Sequence, residues 1–387
     1  MTRARVRSLK NANVVALAFL LILLTVACSR ISTPEGWSAG VVKGDALIIG
    51  TAEGSLLAVD KINGSTLWRA ELQASEDVDQ AIYGKPAVAD DAVYVGGYNG
   101  SLYVFDLQGQ ETKWGDQPLG GPIVGGPALV DDLVIVGTAA EESQDDGKGA
   151  VYAIDTESGD TVWRFPAEGG VWSSPTVADG VVYFGTLGQI VFAVSLEDGS
   201  ELWRTNTGGA VVASPLVVGG RVYVGAFDSV FYALDAQTGN VDWKFTESER
   251  WYWTQALAAG NTIFAPSLDG NLYALDANTG VKLWAFESEG AIVGSPTIVS
   301  GMLAIPVSEG GNSKVHLVEF NGSQKDSCRI GENVFTTLVA DGELIYFAAT
   351  DKSIRALSIS GNGNPDEEWV YLTDKDDPLP RDRAKAC

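Results

Sequence analysis

Short apolar runs separated by glycine-containing turns make up almost the whole chain after residue 37. In runs such as 181–185 (VVYFG) and 222–225 (VYVG), consecutive residues are apolar, so we expect both faces of each strand to be buried. Asn99-Gly100 and Asp269-Gly270 are typical of the tight turns that join antiparallel strands. No segment of this region combines a helical period with capping residues, so we predict strand and turn almost throughout.

One eleven-residue pattern, Ala-x-Asp-x-x-x-Gly-x-x-x-Trp, recurs along the chain. Ala and Trp stand ten residues apart, which predicts that they face each other across a β-hairpin. Two further apolar runs precede each copy, so the unit is four strands, and a period of about 40–50 residues indicates a repeat array. The copies are 58–68, 104–114 (with Val104 in the Ala position), 153–163, 193–203 (with Ser195 in the Asp position), 233–243 and 274–284.

Eight such units fit between residues 37 and 373. Trp369 marks the last unit and lies far enough beyond Trp284 to leave space for a degenerate seventh one, in which we place His316 at the Ala position and Cys328 near the Trp position. Four-stranded units repeated this often form a β-propeller. We predict an all-β, eight-bladed β-propeller of four-stranded antiparallel blades, with structural docking residues Trp68, Trp114, Trp163, Trp203, Trp243, Trp284 and Trp369.

The units are complete and in order along the chain. We therefore expect blade one to pack directly on blade eight, without an obligatory swapped strand. Whether segment 29–36 adds an edge strand stays open.

The N-terminal region has the features of a secretory signal. Four basic residues, the last of them Lys10, precede an uncharged stretch from Val14 to Ala27, which is short for a bilayer span. The stretch ends in Leu-Thr-Val-Ala-Cys, which resembles the lipobox of bacterial lipoproteins; the alternative is ordinary cleavage with Cys28 incidental. We predict an extracytoplasmic protein, on the periplasmic side or the outer cell surface, with a signal peptide (1–27), a tether lipidated at Cys28 (28–36), the propeller (37–373) and a C-terminal tail (374–387).

The charge balance argues against nucleic acid as a partner. Loss of the signal peptide changes the formal net charge from −24 to −28, because its four charged residues are all basic. Such a surface repels nucleic acid and anionic headgroups, and we expect a monomeric propeller that meets the membrane only through its lipid. An oxidising compartment permits a bond between Cys328 and Cys387, but the sequence leaves that pairing open.

The repeat resembles the tryptophan-docking repeat of the pyrroloquinoline-quinone (PQQ) dehydrogenase propellers and of the BamB family of outer-membrane assembly lipoproteins. The resemblance covers 37–373 and implies the fold, which hosts both enzymes and scaffolds. Quinoprotein dehydrogenases of this kind carry adjacent cysteines, calcium ligands and an Asp base, and no two cysteines are adjacent here. For a trianionic quinone, the starts of the inner strands offer only Lys85 and Arg250. We therefore expect no catalytic residue, no cofactor and no metal site.

The aspartates of the repeat do not point to a metal. Each lies in a different blade, too far from the others to share an ion, and Asp at such a position readily accepts backbone N–H bonds in its turn. We expect that role for Asp60, Asp106, Asp155, Asp235 and Asp276.

Aromatic residues near the starts of the inner strands are the candidate binding residues. Aligned on the strand prolines, the position three residues earlier holds Tyr83, Val124, Trp172, Val212 and Val293, and we extend this register to Trp37 in blade one and Tyr252 in blade six. Inner strands converge on the axis, so these aromatics would ring one mouth of the tunnel; the alternative is that each covers its own blade edge. The candidates for partner or ligand binding are Trp37, Tyr83, Lys85, Trp172, Trp251, Tyr252 and Trp253.

Two insertions, 139–149 and 308–314, depart from the repeat between the second and third strands of blades three and seven. We expect both at the same end of the propeller, where added loops of repeat proteins carry binding function. Together with these features, the resemblance to the BamB family implies a non-catalytic extracytoplasmic scaffold lipoprotein that binds an envelope protein partner during envelope or outer-membrane protein assembly. The alternative is a ligand-sensing or PQQ-binding propeller.

Overall fold

The computed structural model describes residues 38–51, 53–72, 81–139, 148–311, 313–375, 377–379 and 387. Their strands form eight antiparallel sheets arranged as the blades of a propeller, which confirms the predicted all-β, eight-bladed fold. Within this part of the chain, no helix is long and apolar enough to cross a bilayer. The predicted signal peptide, Cys28 and Trp37 lie outside the described residues.

Blades one to four each contain four strands in sequence order. Blade one comprises β1 (Val41–Lys43), β2 (Ala46–Gly50), β3 (Ser55–Asp60) and β4 (Thr66–Glu71). Blade two comprises β5 (Ala87–Val88), β6 (Ala92–Gly96), β7 (Ser101–Asp106) and β8 (Glu111–Pro118). Blade three comprises β9 (Ala128–Val130), β10 (Leu133–Thr138), β11 (Ala150–Asp155) and β12 (Thr161–Pro166). Blade four comprises β13 (Thr176–Ala178), β14 (Val181–Gly185), β15 (Ile190–Ser195) and β16 (Glu201–Asn206).

Blades five to seven repeat this order, and blade eight has five strands. Blade five comprises β17 (Leu216–Val218), β18 (Arg221–Gly225), β19 (Phe231–Asp235) and β20 (Val241–Phe245). Blade six comprises β21 (Leu257–Ala259), β22 (Thr262–Pro266), β23 (Asn271–Asp276) and β24 (Lys282–Glu287). Blade seven comprises β25 (Thr297–Val299), β26 (Met302–Val307), β27 (Lys314–Val318) and β28 (Gln324–Arg329). Blade eight comprises β29 (Val339–Asp341), β30 (Leu344–Ala349), β31 (Ser353–Ile359), β32 (Pro365–Leu372) and β33 (Asp377–Leu379).

The repeated pattern forms the outer hairpin of a blade. Ala153 pairs with Trp163 across this hairpin, as the ten-residue spacing predicted, and a β-bulge follows the alanine. The same pairing and bulge occur at Ala58–Trp68, Ala193–Trp203, Ala233–Trp243, Ala274–Trp284 and Ala356–Trp369.

The repeat aspartates hold the hairpin turns, as predicted. The Asp235 carboxylate accepts hydrogen bonds from the backbone N–H groups of Gln237 (3.1 Å) and Thr238 (2.8 Å). The Thr238 hydroxyl also donates to it, and these bonds, the hydroxyl's first, hold the pKa of Asp235 below its usual value. Turn N–H groups donate in the same way to Asp60, Asp106, Asp155 and Asp276.

Each hairpin tryptophan packs on the next blade. The indole Nε1–H of Trp203 donates to the carbonyl oxygen of Ala236 (2.9 Å), and Gly239 of the next hairpin lies against the indole ring. A Cβ at Gly239 would lie 2.6 Å from that ring, so this close approach requires glycine. The bond and the glycine contact recur at Trp114, Trp163, Trp243 and Trp284, and Trp68 lies against Gly109.

Blade eight closes the ring on blade one by the same contacts. Trp369 Nε1–H donates to the Lys61 carbonyl oxygen (3.1 Å), and Gly64 lies against the Trp369 ring. An ion pair between Lys61 and Asp341 (2.6 Å) spans the same junction. Among the described strands none is exchanged between the two blades, so closure follows the prediction.

The seventh unit departs from the repeat, and our register for it is wrong by one residue. Leu317 rather than His316 occupies the Ala position, and Asp326 faces it across the hairpin in the place of Trp. The degenerate sequence has no tryptophan to mark the register. His316 is a buried strand residue whose ring lies 5.4 Å from that of Phe286.

The junction between blades seven and eight therefore lacks a docking tryptophan. Gly363, in the hairpin of blade eight, lies against the side chain of Lys325 instead. Cys328, fully buried in β28, is bonded to Cys387 with a Cα–Cα distance of 5.0 Å. The enclosed segment contains all of blade eight, including β33, which adds a fifth strand within the segment that we predicted as a tail. A covalent link thus spans the junction that has no tryptophan contact.

Candidate functional site: an axial tunnel and its aromatic mouth

The approaches to the inner strands surround a cavity of about 810 Å³ along the propeller axis, which we call the axial tunnel. Blades two to eight each contribute two described lining positions, which lie three residues and one residue before the strand proline or its equivalent, and blade one contributes the second of them, Ala39. We call the residues three positions before the proline the mouth ring, because they lie farther from the inner strands than the second set. Its described members are Tyr83, Val124, Trp172, Val212, Trp253, Val293 and Phe335.

Trp253 is the residue that blade six contributes to the mouth ring. The prediction assigned this position to Tyr252 and is wrong by one residue. Tyr252 is fully buried between blades. It packs so closely on Gly225 that a Cβ added to Gly225 would lie 2.1 Å from the Cβ of Tyr252. Blade six has Ala256 where most blades have proline, which removed the marker for our alignment. Tyr252 is therefore a core residue and not a contact candidate.

Among the described members of the mouth ring, aromatic residues and valines alternate from blade to blade. Blades two, four, six and eight contribute the aromatics, and blades three, five and seven contribute valine. Side chains at neighbouring positions crowd one another where the inner strands converge, so a valine beside each aromatic leaves space for its ring. The described part of the mouth is consequently lined by separate aromatic rings and not by a continuous aromatic surface.

The second set, which we call the inner ring, is made mostly of small neutral residues. Its members are Ala39, Lys85, Gly126, Ser174, Ser214, Gln255, Ser295 and Thr337. Lys85 is the only charged residue among the described lining residues, whereas Arg250 lies outside the lining. Lys85 is exposed to the tunnel, and partial burial of its ammonium group against the surrounding wall lowers the pKa of Lys85.

An exposed aromatic stack lies beside Trp253. Phe227, in the β18–β19 loop, stacks against the rings of Trp251 (centroids 4.6 Å apart) and Trp253 (5.8 Å). The Trp251 side chain is 50 % exposed. Sequence reasoning singled out the two tryptophans and missed Phe227, because it lies in a neighbouring blade and no repeat position marks it. We call these three residues the mouth stack.

The insertions lie in the connections equivalent to the Phe227 loop, so they belong to the same end of the propeller. Residues 140–147 of the first insertion lie outside the described residues. The second is held in place, since Gly311 N–H donates to the Asn333 side-chain oxygen (2.8 Å). Lys314 at its end pairs with Glu289 (2.8 Å) and Glu309 (3.2 Å).

The sequence matches a family model with this architecture. The model described as outer membrane protein assembly factor BamB matches residues 35–163 and 147–252, which together are more than half of the chain. The chain belongs to this family. A second model, described as the beta-propeller domain of glucose/ethanol/alcohol dehydrogenases, matches residues 207–298. The predicted resemblance to PQQ-like, BamB-like repeats is confirmed.

Individual relatives match over shorter stretches. The chain is 31% identical over 119 residues to the quinohemoprotein alcohol dehydrogenase ADH IIB of Pseudomonas putida, which covers 28% of this chain and 17% of that protein. It is 26% identical over 155 residues to the outer membrane protein assembly factor BamB of Kangiella koreensis, which covers 38% of this chain and 36% of that protein. The matches thus span well under half the length of either curated relative.

Solved structures share the fold over most of the chain. The crystal structure of BamB from Moraxella catarrhalis superposes with a TM-score of 0.65 at 19% identity, covering 83% of this chain and 95% of that one. The quinohemoprotein alcohol dehydrogenase ADHIIG of Pseudomonas putida HK5 gives a TM-score of 0.64 at 12% identity, covering 85% and 70%. At these identities the comparison shows a common fold alone.

The described tunnel lining does not fit PQQ. The quinone is trianionic, and Lys85 is the only cation in the part of the lining that the structure describes. A calcium ion beside the quinone would need carboxylate ligands, and the described lining contains neither Asp nor Glu. Throughout the described residues, no three His, Cys, Asp or Glu side chains are grouped so that they would hold a metal ion.

Proposed function

We propose that this propeller is a non-catalytic scaffold lipoprotein that binds a protein partner during envelope protein assembly. The name of the matching family model, an outer membrane protein assembly factor, supports this role. In the proposal, lipid on Cys28 tethers the propeller to an extracytoplasmic membrane surface. The propeller itself then supplies a binding surface and no chemistry.

The mouth stack is the observation that carries the proposal. Other exposed large apolar side chains, such as Leu202 and Leu283, lie on outer strands and form no aromatic stack, and exposed apolar residues of this kind are ordinary on a protein surface. Trp251 instead belongs to a stack of three aromatic rings next to the tunnel entrance. Exposed tryptophans held rigidly by neighbours are the residues that most often dominate the binding energy of protein interfaces.

Co-purification from cells tests this role. We expect the double variant Trp251→Ala/Phe227→Ala to remain folded. The amount of envelope partner that co-purifies with it should be at least tenfold lower than with the wild type. The matched control is Val281→Ala, which changes a 60 % exposed apolar residue in the β23–β24 hairpin, at the other end of the propeller. Equal recovery of the partner with both variants would show that the mouth stack is not the binding surface.

A further inference from the structure

Lys85 is a cation without a counter-ion inside the axial tunnel. Among the described residues it has neither a hydrogen-bond nor an ion-pair partner, and Asp and Glu are absent from the described lining. Its inner-ring neighbours in blades one and three are Ala39 and Gly126, the smallest residues of the ring. A long side chain therefore has space to extend into the tunnel at this position.

The described inner ring provides hydrogen-bond donors but, apart from Lys85, no charged group. The Ser174 and Ser214 hydroxyl oxygens accept from the backbone N–H groups of Gly126 (2.8 Å) and Ser174 (3.0 Å). Neither hydroxyl donates to another described residue, so both protons remain available to a ligand in the tunnel. The protein carries a net charge of −24, and its axial tunnel nevertheless presents one positive group and neutral donors.

A partly desolvated cation without a partner is unfavourable, and an anion that enters the tunnel would remove that cost. A cavity of about 810 Å³ lies within the range of roughly 300–1,000 Å³ that is typical of small-molecule sites. Its apolar walls with few polar groups also match such sites. A single cation selects one negative charge, and the flat rings of Trp172 and Trp253 favour a flat apolar body.

We propose that the axial tunnel binds a small organic monocarboxylate, with its carboxylate on Lys85 and the inner-ring hydroxyls and its apolar body against the mouth ring. This site shares Trp253 with the mouth stack and adds a ligand to the scaffold role.

Calorimetry with 2-naphthoate and its uncharged analogue 2-naphthamide tests the site. We expect saturable binding of 2-naphthoate to the wild type and at least tenfold weaker binding to Lys85→Met. Naphthamide binds both proteins equally, and Lys85→Arg retains most of the affinity for naphthoate because it keeps the charge. The control Lys375→Met removes an exposed lysine of the β32–β33 hairpin and leaves binding unchanged.

Three results would overturn the proposal. One is an absence of saturable binding for benzoate, 2-naphthoate and dodecanoate up to millimolar concentration. Another is equal affinity of naphthoate and naphthamide for the wild type, which would exclude recognition of the charge. The third is calcium-dependent binding of PQQ that Lys85→Met leaves intact, which would place a different ligand in the tunnel.

Discussion

At the residue scale, tryptophans of this chain have two distinct roles. Trp203 is 8 % exposed, donates to the carbonyl oxygen of the next blade and lies against a glycine that has no space for a Cβ. Trp251 is half exposed, and its ring contact is with Phe227. The first arrangement stabilises the junction between blades, and the second presents an aromatic face to solvent.

Alanine substitution separates these roles. We expect Trp203→Ala to lower the free energy of unfolding by about 3–5 kcal/mol, because it leaves a large cavity and an unpaired carbonyl oxygen between two blades. Trp251→Ala should cost about 1 kcal/mol, the typical value of one aromatic contact. Chemical denaturation followed by circular dichroism measures both. Equal losses would identify Trp251 as a core residue and remove it from the binding surface.

The candidate site was predictable only where a residue type marked the register. Prolines fixed the approach to the inner strands, so Tyr83, Lys85 and Trp172 were aligned to positions that line the tunnel, and their role in binding stays a prediction. Blade six lacks that proline, and the prediction therefore placed Tyr252 in the mouth ring, where the structure has Trp253. Phe227 contacts the stack from another blade, and sequence spacing alone carries no information about that contact.

At the element scale, the blade junctions are alike except for one. Tryptophan docking connects seven successive junctions among the described residues, including the closure by Trp369. Between blades seven and eight Asp326 replaces the tryptophan, and the Cys328–Cys387 bond crosses the junction. We interpret the disulfide as the covalent substitute for the missing contact.

Removal of this disulfide should weaken one junction selectively. We expect Cys387→Ser, which spares the buried Cys328, to lower the free energy of unfolding by about 4 kcal/mol, the chain-entropy value for a closed loop of this size. Hydrogen exchange should increase first in blade eight. Reductant should destabilise the wild type by a similar amount and have no further effect on Cys387→Ser. A wild type whose unfolding is insensitive to reductant would contradict this role.

The repeat made the elements themselves predictable. An alanine and a tryptophan ten residues apart fix the register of a hairpin because the two side chains face each other, and five such pairs confirm it. Ala356 and Trp369 pair in the same way across a longer turn. The same logic failed in blade seven, where neither residue is present and the assigned position of His316 was wrong by one. The fifth strand of blade eight had no counterpart in the other units and could not be inferred from them.

At the scale of the whole molecule, the proposed tether has a simple test. We expect Cys28→Ala to release the protein from the membrane fraction, because the variant has no thiol for a lipid and the apolar stretch before it is short for a bilayer span. Cell fractionation with N-terminal sequencing measures the outcome. A substituted protein that stays in the membrane with an intact N-terminus would identify 14–27 as a retained anchor.

The whole molecule also places its two candidate surfaces at one end. The mouth ring opens into the axial tunnel, and the mouth stack extends from Trp253 towards solvent through Phe227 and Trp251. The hairpins with Asp turns lie at the other end and repeat from blade to blade. We therefore expect the binding function at the end with the mouth ring and the mouth stack, where the residues differ from blade to blade.

Site-specific photo-crosslinking in cells tests the central claim, that the mouth stack binds an envelope protein, most directly. With a photoreactive side chain in place of Trp251, we predict one discrete crosslinked adduct with an envelope protein, and we predict its loss when Phe227→Ala is combined with that change. The same group in place of Val281, at the other end of the propeller, should give no such adduct. No adduct from position 251, or the same adducts from both positions, would contradict the account.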